Sequence, residues 1–350
     1  MASSPFIIPF FIAHQGCPHQ CVFCNQHVIT GNSQWLTAEM VNDEIPRCLE
    51  WPRDRKRQVQ VAFYGGSFTG LDRGRQEELL GAVRPFIDRG VVDLIRLSTR
   101  PDYIDHGKAL FLKERGVGIV ELGIQSFDAE VLARSRRGHT AEQVAEAFVH
   151  LRRAGIGVGG QLMVGLPGET TAGVLAGARR LASLRPDMVR IYPTLVLKAS
   201  PLADLLAAGR YQPLTLNRAV ALCARLKEIF AAAGIPVVRM GLQPSAALEH
   251  DLVAGPYHPA FGELVLSRLY FKRVRKSLTI LQKERACAKI RLILSAADRS
   301  LFHGQKRCSN ERLIALGLLD EVEVVFLPGQ PRLTINHEII HGSFDPHCRT

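Results

Sequence analysis

The sequence predicts an α/β protein in which repeated strand–helix units surround a parallel sheet. Three observations lead to this prediction. Short apolar runs alternate with longer amphipathic stretches from residue 6 to about residue 240. The chain has 350 residues, which is enough to bury a large core. With 47% hydrophobic and 22% charged residues, its composition is typical of a folded globular protein and excludes a disordered one.

Six short apolar runs are the strand candidates of these units: Phe6–Ala13, Val59–Tyr64, Leu94–Ser98, Ile119–Leu122, Gly159–Val164 and Met188–Thr194. The helix candidates between them carry apolar residues at helical spacing: Thr37–Glu50, Arg73–Arg89, Tyr103–Arg115, Ala141–Ala154, Ala172–Leu184 and Leu216–Ala233. Several of these helices stop at a glycine, which is typical of a helix C-cap: Gly90, Gly116, Gly155 and Gly234. Six such units fit an open doubly wound sheet or a partial barrel, and in both folds the loops after the strands build the active site.

The composition changes after the sixth unit, which predicts a core over residues 1–240, a helical connector over 241–288 and a small α+β module over 289–350. The predicted elements of that module are Lys289–Leu294, Asp298–Phe302, Asn310–Leu316, Glu321–Phe326 and Arg332–Ile335, of which the first and the last two are strands.

The charge balance indicates the kind of partner and compartment. There are 44 Lys and Arg residues against 33 Asp and Glu, a net charge of +11, which favours a polyanion such as RNA, a nucleotide or an acidic small molecule. The apolar run Phe6–Ala13 contains Pro9, follows no basic residue and is too short for a signal peptide or a membrane helix. We therefore expect a cytoplasmic protein with no membrane partner.

Three of the eight cysteines are clustered in Cys17-Pro-His-Gln-Cys21-Val-Phe-Cys24, directly after the first predicted strand. Scattered cysteines such as Cys48 and Cys223 are typical of buried side chains in a reducing compartment. Three clustered thiolates suit an iron–sulfur cube, and because such a cube ordinarily takes four cysteines, one iron would stay open for catalysis. The alternative is a zinc knuckle completed by His14, His19 or His27.

This CxxxCxΦC spacing, with the aromatic Phe23 before the last cysteine, resembles the radical S-adenosylmethionine (SAM) superfamily over roughly residues 6–240. The resemblance implies a partial (β/α)6 TIM-like barrel, followed here by a small C-terminal α+β domain, with a [4Fe-4S] cluster on Cys17, Cys21 and Cys24. In that family the open iron chelates SAM, and an electron from a donor such as flavodoxin or ferredoxin cleaves SAM to a 5′-deoxyadenosyl radical.

Further motifs at strand ends match the same family in order, and the resemblance implies roles for them. Gly65-Gly66 resembles the glycine pair whose backbone receives the SAM amino group. Gln125 resembles the glutamine near the SAM ribose, and Arg137 resembles an arginine that holds the SAM carboxylate. The segment Met163–Glu169 resembles the motif beside the adenine. No catalytic side chain follows from these matches.

A finer resemblance is to the radical SAM domain of the Elongator catalytic subunit and its bacterial relatives. It adds Ser67 and Thr99 to the expected cofactor-binding residues. It rests on four segments: Gly65-Gly-Ser-Phe-Thr69, Thr99-Arg-Pro-Asp102-Tyr103, Val120-Glu-Leu-Gly-Ile-Gln-Ser126 and Ile191-Tyr-Pro-Thr-Leu-Val196. Ser98 stands where an acidic residue usually contacts the ribose. Residues 255–350 show no acetyl-CoA loop with clustered glycines, so the carboxymethylation of wobble uridine by Elongator is not carried across.

These observations predict a radical SAM enzyme that acts on RNA, as a tRNA modification enzyme. One alternative is an anionic small molecule or a tetrapyrrole, because Gly165-Leu-Pro-Gly168 also resembles oxygen-independent coproporphyrinogen oxidases. Another is a non-catalytic RNA-binding or assembly factor with a structural cluster.

Two segments of the C-terminal third are candidates for the RNA contact. The run Arg268–Lys276 interleaves cations with Tyr270 and Phe271, which could stack on bases. The alternative is that residues 261–276 form an amphipathic helix packed on the barrel, with Leu264, Leu266, Leu269 and Phe271 facing inward. Gly304-Gln-Lys-Arg307, between two predicted helices, resembles the phosphate-clamping loop of a KH domain without its second glycine.

Overall fold

The computed structural model describes residues 5–12, 17, 21–25, 35–51, 54, 56–284 and 288–340. The chain divides into two units, Met1–Pro259 and Ala260–Thr350, and the helix of the predicted connector belongs to the second. No described helix is long and apolar enough to cross a membrane.

The first unit is built on seven parallel strands that curl into a half-barrel in the order β1-β2-β3-β4-β5-β6-β8. Its strands are β1 Phe6–Phe11, β2 Val59–Tyr64, β3 Leu94–Thr99, β4 Val117–Gln125, β5 Gly157–Val164, β6 Met188–Pro193 and β8 Val237–Met240. The six predicted strands are confirmed to within a few residues, although Ala13 lies outside the described residues. The seventh strand was not predicted, and it pairs with β6. The fold is therefore the expected partial barrel with one additional strand.

Two short strands, β7 Val196–Leu197 and β9 Leu252–Ala254, form a separate antiparallel pair. The helices of the first unit are α1 Ala38–Leu49, α2 Arg73–Asp88, α3 His106–Glu114, α4 Ala129–Arg134, α5 Ala141–Arg153, α6 Thr171–Ser183, α7 Pro201–Ala207, α8 Leu216–Ala232 and α9 Ala246–Asp251. Six of them match predicted helices, and α4, α7 and α9 were not predicted.

The helix ends follow local sequence signals. The side chains of Thr37, Asp72, Asp105, Thr140, Thr170 and Thr215 each accept a hydrogen bond from a first-turn N–H. The four predicted C-terminal glycines all have positive φ angles of 68° to 86°. A side chain is strained in this left-handed region, so glycine is the residue that ends these helices at lowest cost.

The inside of the half-barrel is polar below the strand ends. Glu121 on β4 is almost fully buried and lies between two arginines: its Oε1 is 2.5 Å from Arg96 Nε, and its Oε2 is 2.5 Å from Arg190 Nε. The Tyr64 hydroxyl lies 3.1 Å from an Arg190 nitrogen. Because these groups hold one another by charge and hydrogen bonds, the interior keeps polar surface that a packed hydrocarbon core would lack.

In the second unit three helices pack on a three-stranded sheet of order β11-β10-β12. Its elements are α10 Phe261–Glu284, β10 Lys289–Ser295, α11 Arg299–His303, α12 Cys308–Ala315, β11 Val322–Leu327 and β12 Ile335–Ile340. The last predicted strand, Arg332–Ile335, is wrong. Only its final residue belongs to β12, and the other three precede that strand. Arg332 and Leu333 are instead held by the buried Asp298 carboxylate.

The aromatic residues of the basic run are part of this core. Tyr270 and Phe271 are 1% and 9% exposed and pack with Val274, Leu278 and residues of β10, α11 and α12. The expectation that they stack on RNA bases is therefore wrong, because bases cannot reach them. The helix is amphipathic as the alternative supposed, but it packs within the second unit's own core.

Candidate functional site

A cavity of about 700 Å³ opens at the carboxyl ends of the strands in the first unit. All but one of the predicted site residues line it: Cys17, Cys21, Cys24, Gly65, Gly66, Thr99, Gln125 and Arg137. These residues lie at the carboxyl ends of four strands or in the segments that follow them, which is where a parallel sheet with helical connections gathers functional groups. The fold thus brings together motifs that are as far as 120 residues apart in the chain.

The cysteine loop is tied to the rest of the unit through its backbone. Val22 N–H donates to the Ser135 carbonyl at 3.2 Å, and the Val22 carbonyl accepts from Leu202 N–H at 2.8 Å. Cys24 N–H donates to the Cys21 carbonyl at 3.0 Å, so the chain turns tightly between these two cysteines. These bonds keep the described cysteines at the rim of the cavity.

The donor set suits an iron–sulfur cluster, whose ligands are cysteine thiolates. Among the described residues no three His, Cys, Asp or Glu side chains form a group that could hold one metal ion, yet three thiols border one cavity. His14, His19 and His27, the ligands of the zinc alternative, lie outside the described residues. Burial and the neighbouring Cys21 raise the pKa of the Cys17 thiol, so binding iron here must release a proton.

Arg137 links the cysteine loop to strand β4. Its Nη1 donates to Cys21 Sγ at 3.1 Å and its Nη2 donates to the Gly123 carbonyl. The guanidinium is buried, and its Nε has no hydrogen-bond partner among the described residues. A buried charged donor with a free hydrogen is costly unless a ligand accepts from it. This unmet donor points to an anionic group bound in the cavity.

Gln125 also has a buried polar atom without a hydrogen-bond partner in the described ranges, and its backbone is strained. It has a φ of 68°, which is rare for a residue with a side chain, and the β4–β5 register shifts between Gly123 and Gln125. Its Oε1 is buried and has no partner within the described part of the chain. An unpaired acceptor on a strained backbone is a feature of binding sites, where the ligand completes the bond.

Ser67 is the one predicted site residue that does not line the cavity, and its part in cofactor binding stays a prediction. It is fully buried, and its hydroxyl is 2.9 Å from Thr99 Oγ1. Thr99 Oγ1 is also 2.6 Å from Thr69 Oγ1. Ser67 and Thr69 thus hold Thr99 in place from behind the cavity wall. Gly65, in front, has a φ of 87°, a conformation that favours glycine.

Arg100 is a lining residue that sequence reasoning did not single out, although it stands in the quoted motif Thr99-Arg-Pro-Asp102. Its guanidinium makes two parallel bonds to the Asp102 carboxylate, at 3.0 and 2.9 Å. The pair is largely buried, so Arg100 is held rigidly while its charge is compensated. Nearby His139 stays neutral, because burial and then Arg137 lower its pKa to about 3.

Other lining residues are Ser98, Gln161, Met163 and Tyr192, on β3, β5 and β6. Of these, Gln161 stands in none of the motifs quoted from the sequence. The alternation of inward and outward side chains along β5 was the signal that could have found it, because Gln161 and Met163 lie two residues apart on the same side of that strand. All four lie in the same cavity as the cysteines.

The segment after β5 contributes less to the cavity than expected, because only Met163 of Met163–Glu169 lines it. The Glu169 carboxylate turns back and accepts hydrogen bonds from the N–H groups of Gly165 at 2.6 Å and Leu166 at 3.3 Å. The Tyr211 hydroxyl donates to the Gly165 carbonyl at 2.6 Å. Burial raises the pKa of Glu169 to about 8, although the two backbone N–H groups lower it in part. Glu169 therefore fixes the loop.

Comparison with known proteins agrees with this fold and site. The radical SAM superfamily model matches residues 11–178 and the Radical SAM C-terminal domain model matches residues 186–271, together well over half of the chain. The chain belongs to the radical SAM superfamily, and it is a radical SAM enzyme that uses a [4Fe-4S] cluster and SAM. The cluster supplies the electron that cleaves SAM to a carbon radical.

Individual relatives show what the chain is similar to. The chain is 32% identical over 250 residues to a tRNA uridine(34) acetyltransferase of Dehalococcoides mccartyi, which covers 61% of this chain and 54% of that protein. It is 27% identical over 223 residues to an uncharacterised protein of Methanocaldococcus jannaschii, covering 61% and 68%. The crystal structure of Methanocaldococcus infernus Elp3 aligns with a TM-score of 0.58 and 21% identity over 79% of this chain and 64% of that one. The chain thus spans about half the length of the first of these relatives.

Proposed function

We propose that this radical SAM enzyme modifies tRNA. The observation that carries the proposal is the shared domain: the relatives that match the first unit include enzymes named for uridine 34 of tRNA. The net charge of +11 supports an RNA substrate, because phosphate neutralisation supplies much of the affinity for nucleic acids. The acetyltransferase reaction of those relatives is not assigned here, because the chain spans about half or less of their length.

We assign the cavity residues as follows. Cys17, Cys21 and Cys24 hold the cluster, and the backbone of Gly65 and Gly66 receives the SAM amino group. The unmet acceptor of Gln125 and the unmet donor of Arg137 support contacts to the SAM ribose and carboxylate. Each of these bonds would satisfy a buried polar atom that otherwise costs free energy. Thr99 contacts the cofactor from the wall that Ser67 supports.

This assignment leaves a second part of the cavity for the substrate. Ser98, Gln161 and Tyr192 supply hydroxyl and amide groups there, beside the apolar Leu195 and Leu242. A flat base with polar edges fits such a mixed lining, because its faces pack on hydrocarbon while its edges take hydrogen bonds. The polar interior around Glu121 lies below this region.

The first half of the proposal is tested with anaerobically reconstituted protein. We expect about four irons per chain and, after reduction, conversion of SAM to 5′-deoxyadenosine. Cys24→Ala should lose both properties. Cys48→Ala is the matched control, because Cys48 is buried near Glu44 and does not line the cavity. Stoichiometric zinc without charge-transfer absorption would refute the cofactor assignment.

The second half is tested by mass spectrometry of tRNA nucleosides from cells with and without the gene. We expect one modified nucleoside to disappear in the deletion strain and to return with the wild-type gene but not with Cys24→Ala. An unchanged nucleoside profile together with intact SAM cleavage would redirect the search to small anionic substrates, including tetrapyrroles.

A further inference from the structure

The second unit carries an uneven distribution of charge between its two layers. The cations of the sheet are paired with acids: Arg291 lies 2.7 Å from Glu323 and 3.4 Å from Glu338, and Lys289 lies 3.5 Å from Glu321. The cations of the helical layer differ, since nine exposed ones take part in no ion pair with the described residues: Arg268, Arg273, Arg275, Lys276, Lys283, Arg299, Lys306, Arg307 and Arg312. The helical layer is thus the side with uncompensated positive charge.

Five of these cations form a band: Arg268 and Arg275 on α10, Lys306 and Arg307 in the loop before α12, and Arg312 on α12. Arg268 and Arg275 lie one turn before and one turn after Phe271 on α10, so all three share one side of that helix. Arg312 of α12 lies over the Phe271 ring, 5.3 Å from its centre. Arg312 therefore joins the charged side of α10 to α12, whose first residue directly follows Lys306 and Arg307.

The loop between α11 and α12 holds its two cations in fixed positions. Lys306 and Arg307 both adopt left-handed backbone conformations, with φ angles of 50° and 62°, and both are exposed. The loop packs tightly, because a Cβ on Gly304 would come within 2.5 Å of Ser309 Oγ. Two strained residues with exposed cationic side chains are thus kept in a compact turn.

The chemistry of this band favours a polyanion over a membrane or an apolar protein surface. The described segment Arg268–Lys276 exposes no large apolar side chain, since Tyr270, Phe271 and Val274 face the core. Elsewhere on these two helices the exposed large apolar side chains are single ones, Ile280 on α10 and Ile314 on α12. A membrane-surface helix needs an exposed apolar side, and the core of a protein interface is depleted in charge. Cations at helical spacing without acidic partners suit phosphates instead.

We propose that the band defined by Arg268, Arg275, Arg312, Lys306 and Arg307 binds the RNA phosphate backbone. The inference rests on the proposed function for the choice of RNA. Apart from Arg268, it extends that function to residues beyond the matched family models, which end at residue 271. Because Tyr270 and Phe271 are buried, the band contacts phosphates without stacking on bases. Its affinity should therefore depend strongly on salt and weakly on sequence.

The test compares three double variants of the full-length protein, each of which removes two positive charges from the second unit. Arg268→Gln with Arg275→Gln alters α10 and keeps helix propensity. Lys306→Asn with Arg307→Asn alters the loop, because asparagine tolerates the left-handed conformation. Lys289→Gln with Arg291→Gln is the matched control on the sheet, where the cations already have acidic partners.

Binding of unmodified tRNA is measured against salt concentration, with SAM cleavage as the check on the first unit. We expect the α10 and loop variants each to weaken tRNA binding about tenfold or more near 0.1 M salt. Each should flatten the slope of log affinity against log salt by about one to two units, as for two lost phosphate contacts. The control should keep the wild-type slope, and all three should cleave SAM normally.

Three results would overturn the inference and are distinguishable. If wild-type protein binds no tRNA, both the band and the proposed RNA substrate fail. If it binds tRNA but the α10 and loop variants match the control, the band alone fails and the substrate proposal stands. If these variants lose binding to phosphatidylserine vesicles while tRNA binding is unchanged, the band serves a lipid surface.

Discussion

Gly123 offers a sharp test of the cofactor site, because its missing side chain leaves room for two groups assigned to SAM. A Cβ at this position would lie 3.1 Å from Gln125 Nε2 and 3.3 Å from Arg137 Nη2. Both distances are tighter than most Cβ contacts, so the two side chains would have to move by a few tenths of an ångström. The φ of Gly123 is not in the left-handed region, so Gly123→Ala introduces no backbone strain.

The expected effect follows from the bonds that these groups make. A hydrogen bond to a charged group contributes about 1.5–3 kcal/mol, and displacement by tenths of an ångström removes part of that. Weakening the contacts of Gln125 and Arg137 together should cost about 1–2 kcal/mol of SAM binding. Gly123→Ala should therefore raise the Kd for SAM about 5- to 30-fold, while iron content stays that of the wild type because no cysteine has changed.

Isothermal titration of the reconstituted, unreduced protein measures the Kd without turnover. Gly159→Ala on the neighbouring strand is the matched control. Its Cβ would be equally crowded, at 3.1 Å from Glu121 Cγ and 3.2 Å from Met188 Cγ, but Gly159 does not line the cavity. The reasoning is refuted if Gly123→Ala binds SAM like the wild type, or if Gly159→Ala weakens binding as much.

Two further predictions concern stability, measured by denaturation of the apoprotein. Thr99→Val should lower the free energy of unfolding by about 1–3 kcal/mol, because the buried hydroxyls of Ser67 and Thr69 lose their shared partner. Thr99→Ser should keep most of the wild-type stability. An unchanged denaturation midpoint for Thr99→Val would contradict the prediction. Since the pKa of Glu169 is raised to about 8 in the fold, the folded state binds the proton more tightly. The contribution of the protonated Glu169 to the free energy of unfolding should therefore be complete below about pH 4.5. It should fall as the pH rises to 8, by up to about 1.4 kcal/mol per pH unit less solvent screening. Glu169→Gln should abolish that decline, and a decline that persists in the variant would assign it to another group.

The barrel elements were predictable because each carries its own local signals. Six strands and six helices emerged from apolar periodicity and from glycines at helix ends, and the structure moves their bounds by few residues. The seventh strand, Val237–Met240, escaped because it is only four residues long and half-buried, so its pattern is too short to read. Its pairing with β6 is a tertiary interaction that no local signal encodes.

Motif residues and their supports are hard to separate by sequence alone. Ser67 and Arg100 both stand in recognisable motifs, yet only Arg100 lines the cavity. Within a motif, the local backbone decides which side chain faces the ligand. Here a short 3-10 turn follows each residue, Phe68–Gly70 after Ser67 and Pro101–Tyr103 after Arg100. Tyr270 and Phe271 show the same limit in the second unit, since their cationic neighbours suggested exposure while their helical spacing buried them.

The irregular backbone of the first unit gives evidence about the cofactor that the motifs alone do not. Gln125 has a φ of 68° at a shifted register, and Arg137 stands between two left-handed residues, Arg136 at 53° and Gly138 at 72°. Non-glycine residues pay about 1 kcal/mol or more for such conformations, and here the strained backbone also presents a buried polar atom without a partner. A fold that only had to be stable would relieve both costs by a small change of register or side chain. Strain and an unmet hydrogen bond coincide at Gln125, and Arg137, with its unmet Nε, follows the strained Arg136 and lines the same cavity. Together these features are the physical argument that a polar, charged ligand completes this site.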